Sequence, residues 1–175
     1  KRDRDKTVIY VSQSYTGEGC SITPSQKPPD VLVYEWQLWL IRTLKNLGYR
    51  VILKPHPRGE GINYIDLSLY CDGVIEGHFN PNVHQADCLI FDFASTAMMD
   101  TLASQNAVVY LHHGVREYDA LGKEWLEDRV QIVDCHFDEQ NRIRTTPLEL
   151  SEAIESSSER DWFDSAENFV GKYFT

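Results

Sequence analysis

The chain alternates short apolar runs with longer segments in which apolar residues recur every three or four positions. The short runs are aliphatic or β-branched along most of their length, which is typical of strands buried on both faces of a parallel sheet. Five such runs predict strands: Thr7–Ser12, Arg50–Leu53, Cys88–Phe91, Ala107–Leu111 and Val130–Asp134. A smaller run, Val74–Gly77, predicts a minor strand.

The longer segments predict helices. The clearest is Val33–Leu47, in which Trp36, Leu40 and Leu44 share one face and Gly48 ends the helix. Further helices are predicted at Tyr64–Tyr70, Ala97–Ser104 and Glu117–Asp128, from Pro147 to Ile154, and around Trp162, Ala166 and Phe169. This alternation predicts an α/β fold with a doubly wound parallel sheet and helices on both faces.

The composition fits one folded domain with an acidic surface. The 175 residues are 42% hydrophobic, enough for a full core, and carry a formal net charge of −10. That charge argues against nucleic acid as the main partner, although a local pocket can still bind a small phosphorylated ligand. No apolar run approaches the roughly 20 residues that span a bilayer, and no signal peptide is visible.

Within the single domain, residues 1–175, two segments are peripheral. Residues 1–6 have the composition of a linker or of a boundary within a longer protein. Residues 156–175 are interpreted as a C-terminal helical tail, joined through a short serine linker at Ser156–Ser158.

The cysteines indicate a reducing, cytoplasmic compartment. The four are Cys20, Cys71, Cys88 and Cys135, and their spacing is not that of a metal site. Cys88 lies in a predicted strand and Cys135 follows another, so both are interpreted as packing residues rather than disulfide partners.

A basic turn follows the second strand, in the segment KPHPRG at 54–59. Its two prolines stop the strand and stiffen the backbone on either side of His56. His56 therefore stands at the carboxyl edge of the sheet, flanked by Lys54 and Arg58. This local positive charge suits a phosphate or a departing diphosphate, and the alternative is a rigid loop with a surface histidine.

A polar turn follows the strand Cys88–Phe91. Asp92 ends that strand, and Ser95 and Thr96 are good N-cap residues for the helix after them. Unpaired N–H groups at a helix start attract anions, and open parallel sheets bind ligands at the carboxyl ends of their strands. Taken alone this turn favours simple helix capping, but together with the basic turn it favours a phosphate site.

His112 is a further candidate at the carboxyl end of the strand Ala107–Leu111. Alternate residues of a strand face opposite ways, so only one of His112 and His113 is expected to face a ligand.

The two turns together carry a family resemblance. Glycine-rich dinucleotide fingerprints and the Walker A lysine motif are absent. The pair KPHPRG at 54–59 and ADCLIFDFAST at 86–96 resembles the nucleotide-binding C-terminal half of GT-B glycosyltransferases that build bacterial surface polysaccharides. The resemblance is strongest to CDP-glycerol glycerophosphotransferases and to the Kdo and sialic acid transferases. Those families carry a His-Pro motif and a later Ser-Ser or Ser-Thr pair, matched here by His56-Pro57 and Ser95-Thr96.

The resemblance implies a Rossmann-like half of a GT-B fold that binds the donor nucleotide. The reaction it implies is glycosyl or glycerophosphoryl transfer from a cytidine nucleotide, either a CMP-sugar or CDP-glycerol. His56 is the implied catalytic residue. The implied nucleotide- and phosphate-binding residues are Lys54, His56, Pro57, Arg58, Asp92, Ser95, Thr96 and His112. The donor is a substrate, and no cofactor or metal is expected, because helix N-termini and cationic side chains can neutralise the leaving phosphate.

The resemblance also implies what lies beyond this chain. The family's acceptor half would precede residue 1, so an N-terminal acceptor domain is expected as the partner and the isolated domain is expected to be inactive. No nucleic-acid partner is expected. The full-length protein is expected in the cytoplasm, where peripheral association with the inner face of the cell membrane is compatible with the family's products.

Two other functions fit the same pattern. A two-domain sugar-nucleotide epimerase shares the architecture and would favour a UDP-sugar. A flavodoxin-like regulatory or interaction domain also has acidic residues such as Asp92 at its strand ends, and it would bind a partner rather than a nucleotide.

Overall fold

The computed structural model describes residues 6–15, 28–57, 66–115 and 117–173. The strands are β1 (Thr7–Val11), β2 (Arg50–Lys54), β3 (Gly73–Val74), β4 (Cys88–Phe91), β5 (Val108–His112), β6 (Gln131–Asp134), β7 (His136–Phe137) and β8 (Ile143–Arg144). The helices are α1 (Asp30–Asn46), α2 (Thr96–Leu102), α3 (Ala120–Arg129), α4 (Pro147–Glu159) and α5 (Phe163–Tyr173), with a 3-10 turn at Leu67–Tyr70. Some predictions lie outside the described residues: those on Cys20, on Arg58, on the start of the helix at Tyr64–Tyr70 and on most of the segment 1–6.

Six strands form one parallel sheet in the order β3-β2-β1-β4-β5-β6. From β1 the chain builds outward through β2 to β3, then returns to place β4 on the other side of β1. This is the Rossmann order, and it confirms the predicted α/β doubly wound, Rossmann-like fold. It differs from the flavodoxin-like order 2-1-3-4-5, so a flavodoxin-like strand order is wrong for this chain.

The central strands are buried on both faces, as their continuous apolar sequences predict. In β1, Val8 and Tyr10 join the core beneath α1 and α4, whereas Ile9 and Val11 join the core beneath α2, α3 and α5. The helices therefore cover both faces of the sheet.

Helix α1 covers one face through its apolar stripe. Trp36, Leu40 and Leu44 are fully buried, so the aromatic content of this helix belongs to the core. Gly48 follows the helix with φ +89°, a conformation that residues with a Cβ rarely adopt, and this explains why the helix ends there.

An antiparallel hairpin of β7 and β8 occupies a segment for which no strands were predicted. The two strands have two residues each, too short for a periodic pattern. Side-chain chemistry shapes the turn: the Asp138 carboxylate accepts from the backbone N–H groups of Gln140 and Arg142, each at 2.9 Å. Asn141 adopts φ +56°.

The predicted serine linker is wrong, because Ser156–Ser158 lie inside α4. The helix starts with a Thr146–Glu149 capping box and buries Leu150 and Ile154 against the sheet. Ser157 is also buried, and its Oγ donates to the Val108 carbonyl at 3.2 Å. Tertiary packing therefore keeps this segment helical, although its composition alone predicts a linker.

Other boundaries differ by a few residues from the predicted ones. The minor strand is Gly73–Val74 rather than Val74–Gly77, and Gly77 turns the chain at φ +69°. The final helix is α5, whose Ala166 and Phe169 are buried as its pattern predicted.

The described cysteines, Cys71, Cys88 and Cys135, are free thiols. Burial raises the pKa of the Cys88 thiol to about 12, so this residue behaves as an inert packing group. Among the described residues, no helix is both long and apolar enough to cross a membrane.

Candidate functional site

A cleft of about 220 Å³ opens at the carboxyl edge of the sheet, where the chain leaves β1, β2 and β4. It lies beside the reversal of strand order between β1 and β4, where open α/β sheets bind ligands. The cleft is lined by Val11, Ser12, Lys54, Pro55, His56, Pro57, His78, Phe79, Ser95, Thr96, Ala97 and Asp100. It therefore joins the basic turn and the Ser95–Thr96 turn, which the sequence placed on the same edge.

Lys54 supplies a cation to the wall of the cleft. It is the last residue of β2 and is only 2% exposed. Its ammonium donates to the Pro55 carbonyl at 2.8 Å, which holds the side chain against the turn. A buried ammonium is stabilised by any further oxygen acceptor that reaches it, and phosphate oxygens are strong acceptors.

His56 and Pro57 follow Lys54 and complete the described part of the basic turn. His56 is half-buried and Pro57 is exposed at the mouth of the cleft. The preceding and following prolines restrict the backbone at His56, so little ordering is needed for the imidazole to contact a ligand.

Ser95 and Thr96 form the opposite wall. Ser95 caps α2, since its Oγ accepts from the Met98 N–H at 3.3 Å. Its hydroxyl hydrogen can still be donated to a ligand, so capping and ligand binding are compatible. Thr96 is the first helical residue and its side chain is exposed. Because α2 has only seven residues, most of the positive charge in the cleft comes from the basic turn.

Seven residues that line the cleft were not among the predicted site residues: Val11, Ser12, Pro55, His78, Phe79, Ala97 and Asp100. Asp100 was detectable, since it lies four positions after Thr96 and therefore on the same helix face. His78 and Phe79 come from the irregular segment between β3 and β4, where no periodicity places a side chain. Phe79 is nearly buried and stacks on His84, with ring centroids 5.6 Å apart.

Asp92 faces a second cavity, here called the hollow. The hollow has a volume of about 20 Å³ and is lined by Gln13, Pro28, Asp92, Phe93, Tyr110, His112, His113 and Val115. The Asp92 carboxylate is buried and accepts from the Tyr10 hydroxyl at 2.5 Å and from the Gln13 N–H at 3.0 Å. Burial raises the pKa of Asp92, and these hydrogen bonds oppose that shift. The structure thus separates Asp92 from the basic turn.

His112 also lines the hollow rather than the cleft. Its Nδ1 lies 3.1 Å from the Asp134 carboxylate, and its ring contacts Tyr110 and Tyr118 at centroid distances of 5.9 and 5.8 Å. His113 faces the opposite side of the strand and meets Trp36 edge-on at 4.9 Å, as strand alternation requires.

The described residues contain no group of three or more His, Cys, Asp or Glu side chains that could hold a metal ion. Metal-independent binding of the donor stays a prediction. The site offers cationic side chains and hydroxyl groups rather than a set of metal ligands.

Comparison with known proteins identifies the fold and no family. No protein-family profile matches the chain, and no curated protein matches it significantly. Among solved structures, E. coli ADP-heptose LPS heptosyltransferase II is similar, with a TM-score of 0.51 and 14% identity over 89% of this chain. The match covers 47% of the heptosyltransferase, so the chain spans about half of its length. MT0777 is similar at a TM-score of 0.45 and 14% identity, over 90% of this chain and 99% of that one.

Proposed function

We propose that this chain is the donor-nucleotide-binding domain of a GT-B glycosyl- or glycerophosphotransferase of bacterial surface polysaccharide synthesis, with a cytidine nucleotide as donor. The observation that carries the proposal is the cleft itself. It brings Lys54 and His56 within one cavity with Ser95 and Thr96, at the edge where such sheets bind ligands.

The residues have complementary roles in holding a departing phosphate. Lys54 offers a charge from a buried position, and His56 donates a hydrogen bond or a proton to a phosphate oxygen. Ser95 and Thr96 donate hydroxyl hydrogen bonds from the opposite wall. Such a set stabilises negative charge as it develops on the leaving group, which is the main task of catalysis in phosphate departure.

Two observations support the transferase class over other nucleotide-binding functions. The fold is shared with a protein whose name describes transfer of a sugar from a nucleotide donor, although 14% identity establishes the fold alone. The match runs over 89% of this chain and 47% of that transferase, so the shared fold accounts for about half of the transferase. The named donor of the heptosyltransferase is ADP-heptose, so the cytidine base rests on the sequence motifs.

A thermal-shift panel of CMP, CDP, UDP, GDP and ADP tests the proposal on this chain. We expect CMP and CDP to raise the unfolding midpoint most, and a ligand at 100 times its Kd adds about 2.7 kcal/mol of apparent stability. A shift with UDP alone would favour the epimerase function, and a shift with ADP alone would assign an adenine donor. No shift with any nucleotide would refute nucleotide binding.

The same panel on His56→Ala locates the phosphate. We expect the variant to lose roughly 1.5–3 kcal/mol of nucleotide binding, the range for a hydrogen bond to a charged group. His136→Ala is the matched control, because His136 is exposed on β7 and lines neither the cleft nor the hollow. His84 would be a poor control, because it stacks on Phe79 in the cleft wall. Equal binding by His56→Ala and the parent would remove His56 from the site.

A further inference from the structure

The strand β6 is the last strand of the six-stranded sheet, and in the described part of the chain it has a neighbouring strand on one side only. On that side it pairs in parallel with β5, and the Cys135 N–H donates to the His112 carbonyl at 2.8 Å. Successive residues of a strand direct their backbone groups to opposite sides. Val133 therefore bonds to β5, whereas Ile132 and Asp134 direct their N–H and C=O groups to the open side. Such a row of backbone groups is a template for pairing with another extended chain.

A groove, here called the edge groove, follows this open side of β6. It has a volume of about 380 Å³ and is lined by all four residues of β6 and by one face of α4. The α4 residues are Glu149, Glu152, Ala153 and Ser156, which recur at the three- and four-residue spacing of one helix face. Ala153 is buried beside the sheet, whereas the other three are exposed. The edge groove therefore gives an extended chain room beside the open backbone groups of β6.

The edge groove is negatively charged. Its described lining contains three carboxylates, those of Asp134, Glu149 and Glu152, and no lysine or arginine. Helix α4 carries four glutamates and no basic residue from Pro147 to Glu159. Hydrogen bonds from the Thr146 hydroxyl and N–H, at 2.8 and 3.2 Å, lower the pKa of Glu149 and hold its carboxylate in place. A chain with lysine or arginine side chains is therefore complementary to this groove.

The same charges argue against a second copy of this chain as the occupant. If β6 of two copies paired about a two-fold axis, the carboxylates of each edge groove would meet those of the other, and like charges across paired strands are destabilising. The net charge of −10 on each copy adds to this repulsion. The carboxylates therefore oppose pairing between copies and leave the edge open to a positively charged partner.

We propose that the open side of β6 and the edge groove bind an extended, lysine- or arginine-bearing segment of a partner protein, which adds a strand to the sheet. Backbone groups of the segment pair with those of Ile132 and Asp134, and its basic side chains on the α4 side contact Glu149 and Glu152. The edge groove shares no lining residue with the cleft, so this binding requires neither a nucleotide nor the proposed function.

Fluorescence anisotropy with labelled peptides tests this docking site on the 175-residue chain. The main probe is a short peptide of alternating lysine and valine. A second peptide has the same sequence with N-methylated backbone amides, which keeps the charge and removes the donors that strand pairing needs. A third peptide alternates glutamate and valine, so that it keeps the valines that favour a strand and reverses the charge.

Two variants carry the same change of charge at different places. Glu152→Lys reverses one carboxylate in the wall of the edge groove, and Glu152 is exposed, so we expect the fold to be unchanged. Glu124→Lys is the matched control, because Glu124 is exposed on α3, which covers the other face of the sheet.

We expect the lysine–valine peptide to bind the parent at least about tenfold more tightly than either of the other two, because only this peptide offers both backbone donors and positive charge. Glu152→Lys should weaken its binding by roughly three- to tenfold, whereas Glu124→Lys should leave it within about twofold. Amide exchange measured by NMR should slow at Ile132 and Asp134 when the peptide binds.

Several results would overturn the docking site while leaving the proposed function intact. Two concern the peptides: no binding of the lysine–valine peptide, or equal binding of either control peptide. Two concern the location: an equal loss in Glu152→Lys and Glu124→Lys, or unchanged amide exchange at Ile132 and Asp134. A concentration-dependent dimer of the parent that protects the same two amides would assign this edge to a second copy instead.

Discussion

Asp92 and His113 are held towards their neutral forms at the carboxyl edge. Burial is the main cause in both cases: it raises the pKa of Asp92 and lowers the pKa of His113 to about 4, with His112 adding to the second shift. The imidazole of His113 is therefore neutral at physiological pH.

The lowered pKa of His113 predicts that the folded chain loses stability in acid. The folded pKa of about 4 lies below the ordinary value of 6.5, so the unfolded chain binds the proton first as the pH falls. The neutral imidazole of His113 therefore makes its full contribution to the free energy of unfolding above about pH 6.5. This contribution, about 3 kcal/mol at most, is lost as the pH falls to about 4. In urea unfolding, the free energy of unfolding of the parent should fall relative to that of His113→Phe as the pH is lowered from about 6.5 to about 4, because only the parent carries the titrating imidazole. Parallel stability curves would contradict this assignment.

Helix α2 is secured at both ends by side chains. Ser95 caps its start in the cleft wall. At its end the buried Arg129 guanidinium donates through Nε to the Leu102 carbonyl at 2.8 Å and through one Nη to the Ser104 carbonyl at 2.6 Å. Burial lowers the pKa of Arg129 to about 10, so it stays protonated beside the carbonyl groups of the helix end. This clamp fixes a helix that is too short to be stable alone.

The two capped helices α2 and α4 allow a matched test of Ser95. Ser95→Ala and Thr146→Ala each remove an N-cap hydroxyl, so each should lower the free energy of unfolding by about 1 kcal/mol. Thr146 lies outside the cleft and the hollow, so we expect only Ser95→Ala to weaken nucleotide binding beyond its effect on folding. Denaturant unfolding and calorimetry on both variants measure the two effects. Similar nucleotide affinities in the two variants would restrict Ser95 to capping.

At the scale of the whole molecule, the sheet places the site on an open edge. The cleft and the hollow both lie where the strands end, and the cleft is formed by the segments after β1, β2 and β4 together with the segment before β4. In the proposed two-domain transferase, the acceptor approaches this edge from the other domain. Chemistry then depends on holding two substrates together and excluding water from the phosphate.

We therefore expect this 175-residue chain to bind the donor and to catalyse no transfer. An assay with CDP-glycerol or a CMP-sugar and a polysaccharide acceptor measures this directly, with nucleotide binding by the same sample as the control. Turnover by the chain alone would contradict the two-domain mechanism. A chain that binds the donor but catalyses no transfer would show that donor recognition and catalysis can be separated.

Local sequence determined the elements and the edge on which the site lies. Continuous apolar runs mark strands that are buried on both faces, and the alternation with helices orients all of them in parallel. Because parallel strands end at one edge, the basic turn and the Ser95–Thr96 turn had to share it. Local sequence did not predict the hairpin of β7 and β8, because strands of two residues are too short to show a periodic pattern. It also did not predict that the serines at 156–158 are helical, because this depends on the packing of α4 on the sheet.

Only the tertiary structure decided how the candidate residues divide between two cavities. Lys54, His56, Ser95 and Thr96 line the cleft, whereas Asp92 and His112 line the hollow. A strand pattern shows which residues lie at an edge, but the face to which each side chain turns depends on the neighbouring strands and on the helices packed there. The same holds for His113: its burial against Trp36 and its unpaired nitrogen arise from contacts between residues that are far apart in the chain.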